Sequence, residues 1–183
     1  MTDVKYKITF YSNWHCGSGL AAGADVDELV IKDRNGLPYV PGRTIKGLLR
    51  EAAMMLSQFT EVPQDSIKRL FGLGGGEGDL GSRSVVSFTN ASLSADEQAV
   101  VIAQKLAEHL YQPVASTAID ANGIAKDHSL RKVETTIPCV VYGQVLHVDE
   151  RDIEVLLQTF QWVKRMGLGR NRGYGRCEIS KVD

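Results

Sequence analysis

The sequence is poor in the features that classify a protein quickly. Its 183 residues include three cysteines, at 16, 139 and 177. An odd, widely spaced set builds neither a disulfide framework nor a metal cluster, and it suits a reducing, cytoplasmic compartment. The four histidines (His15, His109, His128, His147) are scattered too, which excludes a dense zinc site. No run approaches the roughly 20 apolar residues of a membrane helix, so no membrane partner is expected. The opening MTDVKYKITFYSNW alternates like a strand and is not expected to be a signal peptide. Charge is balanced as well: 21 basic and 22 acidic side chains leave a net charge of −1. That excludes a uniformly basic nucleic-acid binder. It leaves room for a locally basic one, because phosphate binding depends on where charge sits.

What is present is ordinary globular composition, 43% hydrophobic and 23% charged. The length suits one domain over residues 1–183, without internal repeats or linkers. Lys5 to Trp14 reads as a strand, with Val4, Tyr6, Ile8 and Phe10 on one face. A small-residue loop, HCGSGLAAGAD, follows. Asn35-Gly36 between Leu29-Val30-Ile31 and Leu37-Pro38-Tyr39-Val40 signals a hairpin. Thr44 is expected to cap a helix to Phe59, with Ile45, Leu48, Leu49, Ala52 and Leu56 inward and Arg43, Lys46 and Arg50 opposite. Further expectations are a helix from Asp65 to Phe71, a glycine-rich mobile loop through Gly81 and a strand from Arg83 to Thr89. Beyond these are a helix from Ala95 to Tyr111 started by Ser94 or Asp96, and a polar hairpin over 114–134 tipped by Asn122-Gly123. Thr136 to Val148 reads as a strand, Glu150 to Met166 as a helix and Gly175 to Val182 as the last strand. This order is an α+β, ferredoxin-like (RRM-like) βαββαβ pattern with the hairpin and extra helices inserted.

The strongest chemical signal is GLGRNRGYGR, from Gly167 to Arg176. From Lys164 to Arg176 there are five basic residues and no acid. Glycines let a backbone approach a phosphate and expose its N–H groups, and arginines add forked contacts. Arg170, Asn171 and Arg172 are therefore candidate RNA contacts; the alternative is a flexible solvated turn. The Arg43, Lys46, Arg50 face follows a helix start that offers N–H groups to an anion. In GADVDEL, Asp25 and Asp27 share a face if extended. Either carboxylate could hold a Mg²⁺ or orient a 2′-hydroxyl, or the segment is simply an acidic surface loop. Cys16 has no histidine and acid in recognisable order, so a thiol nucleophile is not expected.

Leu37 to Glu51 (LPYVPGRTIKGLLRE), Arg69-Leu70-Phe71-Gly72 and the terminal glycine-rich loop together resemble motifs of the RAMP superfamily of CRISPR proteins. Thr117 to Glu134 resembles the thumb hairpin of the repeating backbone subunit of type III effector complexes. Family subunits of this kind stack along the guide (CRISPR) RNA, and target RNA pairs with the guide. The target is cut beside each thumb in a metal-dependent reaction that uses an aspartate shortly before a Val-Ile-Lys-Asp stretch. Here that stretch is Val30-Ile31-Lys32-Asp33, so the resemblance assigns the catalytic role to Asp27 and implies Mg²⁺ or another divalent cation as cofactor.

The resemblance also places His15 in a loop that contacts guide RNA; it could donate a hydrogen bond to a phosphate or be an ordinary loop residue, and a general-base role has no identified partner to support it. It makes Lys126 a thumb charge and Arg131 a recurrent basic RNA contact. The implied partners are guide RNA, target RNA, copies of this chain and other subunits of the complex. Two departures stand out: the region from Gly72 to Gly81 is short, and the cysteine and histidine set that some relatives use for zinc is missing. A catalytically inactive guide-RNA scaffold, a precursor-processing ribonuclease and an unrelated ferredoxin-like metabolic protein are the alternative readings.

Overall fold

A computed structural model describes residues 1–21, 26–72 and 84–182. The expectations for Asp25, for the loop through Gly81 and for Arg83 fall outside these residues.

Strand β1 (Thr2–Phe10) buries Val4, Tyr6, Ile8 and Phe10, as its alternation requires. After a long loop come β2 (Tyr39–Val40) and the helices α1 (Gly42–Leu56) and α2 (Gln64–Phe71). Two short strands, β3 (Ser87–Phe88) and β4 (Ala91–Ser92), precede α3 (Ala95–Ala103). The hairpin β5 (Tyr111–Ser116) and β6 (Arg131–Thr136) leads to β7 (Val140–Val148), α4 (Ile153–Trp162) and β8 (Cys177–Lys181). The main sheet runs β2-β4-β7-β1-β8, with β3 also on β7, and its pairings are antiparallel. Reading β1, α1, the β3–β4 pair, β7, α4 and β8 gives the ferredoxin-like βαββαβ core. The hairpin β5–β6 is a separate two-stranded sheet inserted into it.

The core lies between the sheet and α1, α2 and α4. Ile45, Leu49 and Leu56 from α1, Ile67 and Leu70 from α2, and Leu156 and Phe160 from α4 pack with Tyr6, Ile8, Val141 and Val145. Arg69 grips the far side of this layer. Its Nε and Nη2 donate to the two carboxylate oxygens of Asp152, both at 2.7 Å, which ties α2 to the start of α4.

Several boundaries differ from expectation for local reasons. α1 starts at Gly42 because Pro41 forms its N-cap. A Cβ on Gly42 would stand 2.1 Å from the Phe88 carbonyl oxygen, so only glycine fits there. α3 begins with a full capping box between Ser94 and Glu97. It stops at Ala103, and Lys105 then takes a positive φ of 56°. A 3-10 turn over Ala107–Leu110 follows, so Tyr111 opens β5 instead of closing a helix. The first strand ends at Phe10. Trp14 instead stacks on Phe10 with ring centroids 4.4 Å apart and bridges to Thr136. Pro138 falls in the break between β6 and β7, where Phe10 N–H donates to Cys139 O. α4 ends at Trp162, where Val163 turns extended.

Candidate nucleic-acid interface

The arginine loop is held by its glycines. Gly167 has φ +90°, and a Cβ there would stand 2.2 Å from the His15 carbonyl oxygen. Gly175 has φ +65°, with the Met166 carbonyl oxygen 1.8 Å from a Cβ position. Several of the backbone N–H groups are spent within the fold. Leu168 N–H donates to His15 O, Gly175 N–H to Asn13 O and Arg172 N–H to Gly169 O. The glycines therefore also let the loop pack closely on its own chain. What faces outward is the exposed side-chain set Arg170, Asn171 and Arg172, on a single 3-10 turn.

His15 is only 2% exposed. Its Nδ1 lies 2.6 Å from the Glu134 carbonyl oxygen, and Nε2 lies 3.8 Å from Glu28 Oε2. The chain around Glu28 runs beside β6: Glu28 bridges to Val133, and Glu134 N–H donates to Glu28 O. The Glu134 carboxylate returns the contact, accepting from Val30 N–H at 3.0 Å and Lys32 Nζ at 2.8 Å. Lys32 also sits 3.9 Å over the Tyr111 ring. Burial, then the nearby Glu134 and Asp33 carboxylates, push the Tyr111 hydroxyl well above its usual range.

Asp27 is placed by the same pairing. Its N–H donates to Lys132 O at 2.9 Å, and its Oδ2 accepts from Lys132 N–H at 2.7 Å. The side chain is exposed, and Oδ1 has no hydrogen bond among the described residues. Asp27 thus stands at the base of the β5–β6 hairpin.

A cavity of about 400 Å³ opens between the hairpin base and the arginine loop. His15, Glu28, Arg131, Asn171, Arg172 and Tyr174 line it. Four of the residues singled out from sequence therefore meet in one place. Arg170 turns the other way, into a groove of about 450 Å³ with Leu48, Glu51, Met55, Trp162 and Arg165. The face of α1 against the loop is thus Leu48, Glu51 and Met55. Arg43, Lys46 and Arg50 lie on another arc of the helix and line neither space. The α1 start is also partly satisfied already, since Gly42 N–H donates to Asn90 Oδ1. Lys126 lies exposed far along the hairpin, near a tip where Asp120 Oδ1 accepts from Asn122 and Ile124 N–H.

Sequence reasoning missed Glu28 and Glu134. Glu134 reaches His15 and Val30, and Glu28 pairs with Val133 and Glu134, across more than 100 residues of chain, which no local spacing reveals. The thiols carry no reactive signature. Burial pushes Cys16 and Cys177 each up to about 12, so both stay protonated at neutral pH. Among the described residues, no three His, Cys, Asp or Glu side chains gather as a metal cage, and no helix is long and apolar enough to cross a membrane.

The family model of the RAMP superfamily matches residues 7–178, nearly the whole chain. The chain belongs to the RAMP superfamily. Its fold is similar to that of a chain in the cryo-EM structure of the type III-B Cmr-beta complex bound to cognate target RNA, with a TM-score of 0.76 and 12% identity. That match covers 99% of this chain and 97% of the other. A chain of the apo Cmr-beta structure gives a TM-score of 0.74, also at 12% identity, with 99% and 97% covered. No curated protein matches the sequence. As a RAMP protein, the chain combines the superfamily's ferredoxin-like fold with an inserted hairpin whose base meets its arginine loop.

Proposed function

We propose that this chain is a guide (CRISPR) RNA-binding backbone subunit of a type III CRISPR interference complex, and that it cuts complementary target RNA at Asp27. Its partners in this reading are guide RNA, target RNA, further copies of the chain and other subunits of the complex. The observation that carries the reading is the placement of Asp27. An exposed carboxylate is pinned to Lys132 at the hairpin base, and the next residue along, Arg131, lines the cavity with Arg172. Cations that can hold an RNA backbone and a fixed carboxylate that can act on it thus come together around β6. Arg170, Asn171, Arg172 and Arg131 take backbone phosphates, with Arg43, Lys46, Arg50 and Lys126 as outlying contacts.

Cleavage then follows the chemistry of RNA itself. The target 2′-oxygen, losing its proton, attacks the adjacent phosphorus. The P–O5′ bond breaks, leaving a 2′,3′-cyclic phosphate and, once protonated, a 5′-hydroxyl. Asp27 orients the attacking hydroxyl through its free Oδ1. Mg²⁺ or another divalent cation fits this donor set, because Mg²⁺ is commonly held by one or two carboxylates together with substrate phosphates. When bound, it would neutralise charge building on the phosphate.

RNA binding is tested by its salt dependence. Each phosphate contact contributes a slope of about −0.7 in log K against log salt for single strands. Replacing Arg131 and Arg172 together with alanine is expected to reduce the wild-type slope by about 1.4. Binding that ignores salt, or a slope unchanged in the double variant, contradicts the assignment.

A further inference from the structure

The cavity between the hairpin base and the arginine loop contains one group that phosphate binding leaves unexplained. His15 is 2% exposed, and its Nδ1 is 2.6 Å from the Glu134 carbonyl oxygen. A carbonyl oxygen only accepts, so the ring hydrogen sits on Nδ1, and Nε2 of the neutral imidazole presents a lone pair. That Nε2 is buried, has no hydrogen-bond partner among the described residues, and belongs to a side chain lining the cavity. Buried acceptors are normally satisfied, so this one calls for a donor from a ligand.

A phosphodiester cannot be that donor, because its oxygens only accept. It would also meet the carboxylate of Glu28, which stands 3.8 Å from Nε2. A neutral hydroxyl has neither difficulty.

We propose that this cavity is a ribose pocket, in which the 2′-hydroxyl of one guide-RNA nucleotide donates to His15 Nε2. Arg131 and Arg172, which also line the cavity, hold the flanking phosphates, while Glu28 keeps phosphate away from the floor. The 2′-hydroxyl is the group that distinguishes RNA from DNA. The pocket therefore selects RNA at one nucleotide per subunit. This rests on the guide-binding reading above and narrows it from phosphate recognition to sugar recognition.

The test is a scan of single 2′-deoxy substitutions along a short single-stranded RNA, measuring affinity for the purified chain at fixed salt. One position is expected to lose about three- to tenfold in affinity, the worth of one hydrogen bond. A 2′-O-methyl group there, having no donor, is expected to lose at least as much. In His15→Asn the amide can still donate to Glu134 O but Nε2 is gone. The deoxy penalty is expected to vanish in that variant while the salt slope stays.

If the wild-type protein binds with normal salt dependence yet ignores every deoxy substitution, the ribose pocket is overturned and guide binding stands. If the wild-type protein does not bind RNA, both readings fall together. A folded His15→Asn that keeps the full penalty also overturns the pocket. Should that variant not fold, the wild-type scan decides alone.

Discussion

Gly175 shows how closely the site depends on single residues. Its φ of +65° and the 1.8 Å approach of the Met166 carbonyl oxygen leave no room for a side chain. Left-handed backbone alone costs a non-glycine residue about 1–2 kcal/mol, and here a backbone atom must move as well. Gly175→Ala is expected to lose more than about 2 kcal/mol in denaturant unfolding, and Gly173→Ala about 1 kcal/mol. Gly173 has a comparable φ of +91° but open space around it. Equal losses at the two positions would show that the clash is not the cause. At this scale the sequence was informative about residue type and silent about reason. Its glycines and arginines pointed to the loop, but not to the packing of those glycines against Met166 and His15. Asp27 could be singled out from chain order and resemblance. Glu134, which receives both Val30 N–H and Lys32, could not, because only the folded chain brings them together.

Among the elements, α2 is fastened by charge. Burial pushes the Asp152 carboxyl up, but the Arg69 fork and the Ser66 hydroxyl more than offset this, leaving it below the usual carboxylate range. A folded-state value below the unfolded one stabilises the fold above the ordinary carboxylate pKa. That contribution is lost as pH falls through the lower folded value. Stability of the wild-type protein should therefore drop in acid partly through this pair. Asp152→Asn should be less stable than wild type at pH 7, and the gap should narrow as pH falls below the ordinary aspartate pKa of about 3.9. A gap that stays constant across this range would remove Asp152 from the acid response. Element order was legible from hydrophobic period and turn residues, including the hairpin and its Asn-Gly tip. Element ends were not: the stop of α3 and the split between β6 and β7 depend on Lys105 and on the register of Phe10 against Cys139.

Across the whole molecule, a net charge of −1 gives no general attraction to RNA, so binding must come from where the cations are placed. The sheet carries β1, β7 and β8 side by side, and the loops after β1 and before β8 meet at the hairpin base. The fold thereby gathers His15, Asp27, Arg131 and Arg172 from three distant stretches of chain. The measurement that tests this account most directly is a target-RNA cleavage assay with wild type and Asp27→Ala. Each is assembled with guide RNA and neighbouring subunits and given labelled complementary RNA with Mg²⁺. The account predicts periodic cuts bearing 2′,3′-cyclic phosphate ends in wild type, abolished in Asp27→Ala while target binding persists. Tight target binding without any cut by the wild-type assembly would contradict it and leave the chain a scaffold.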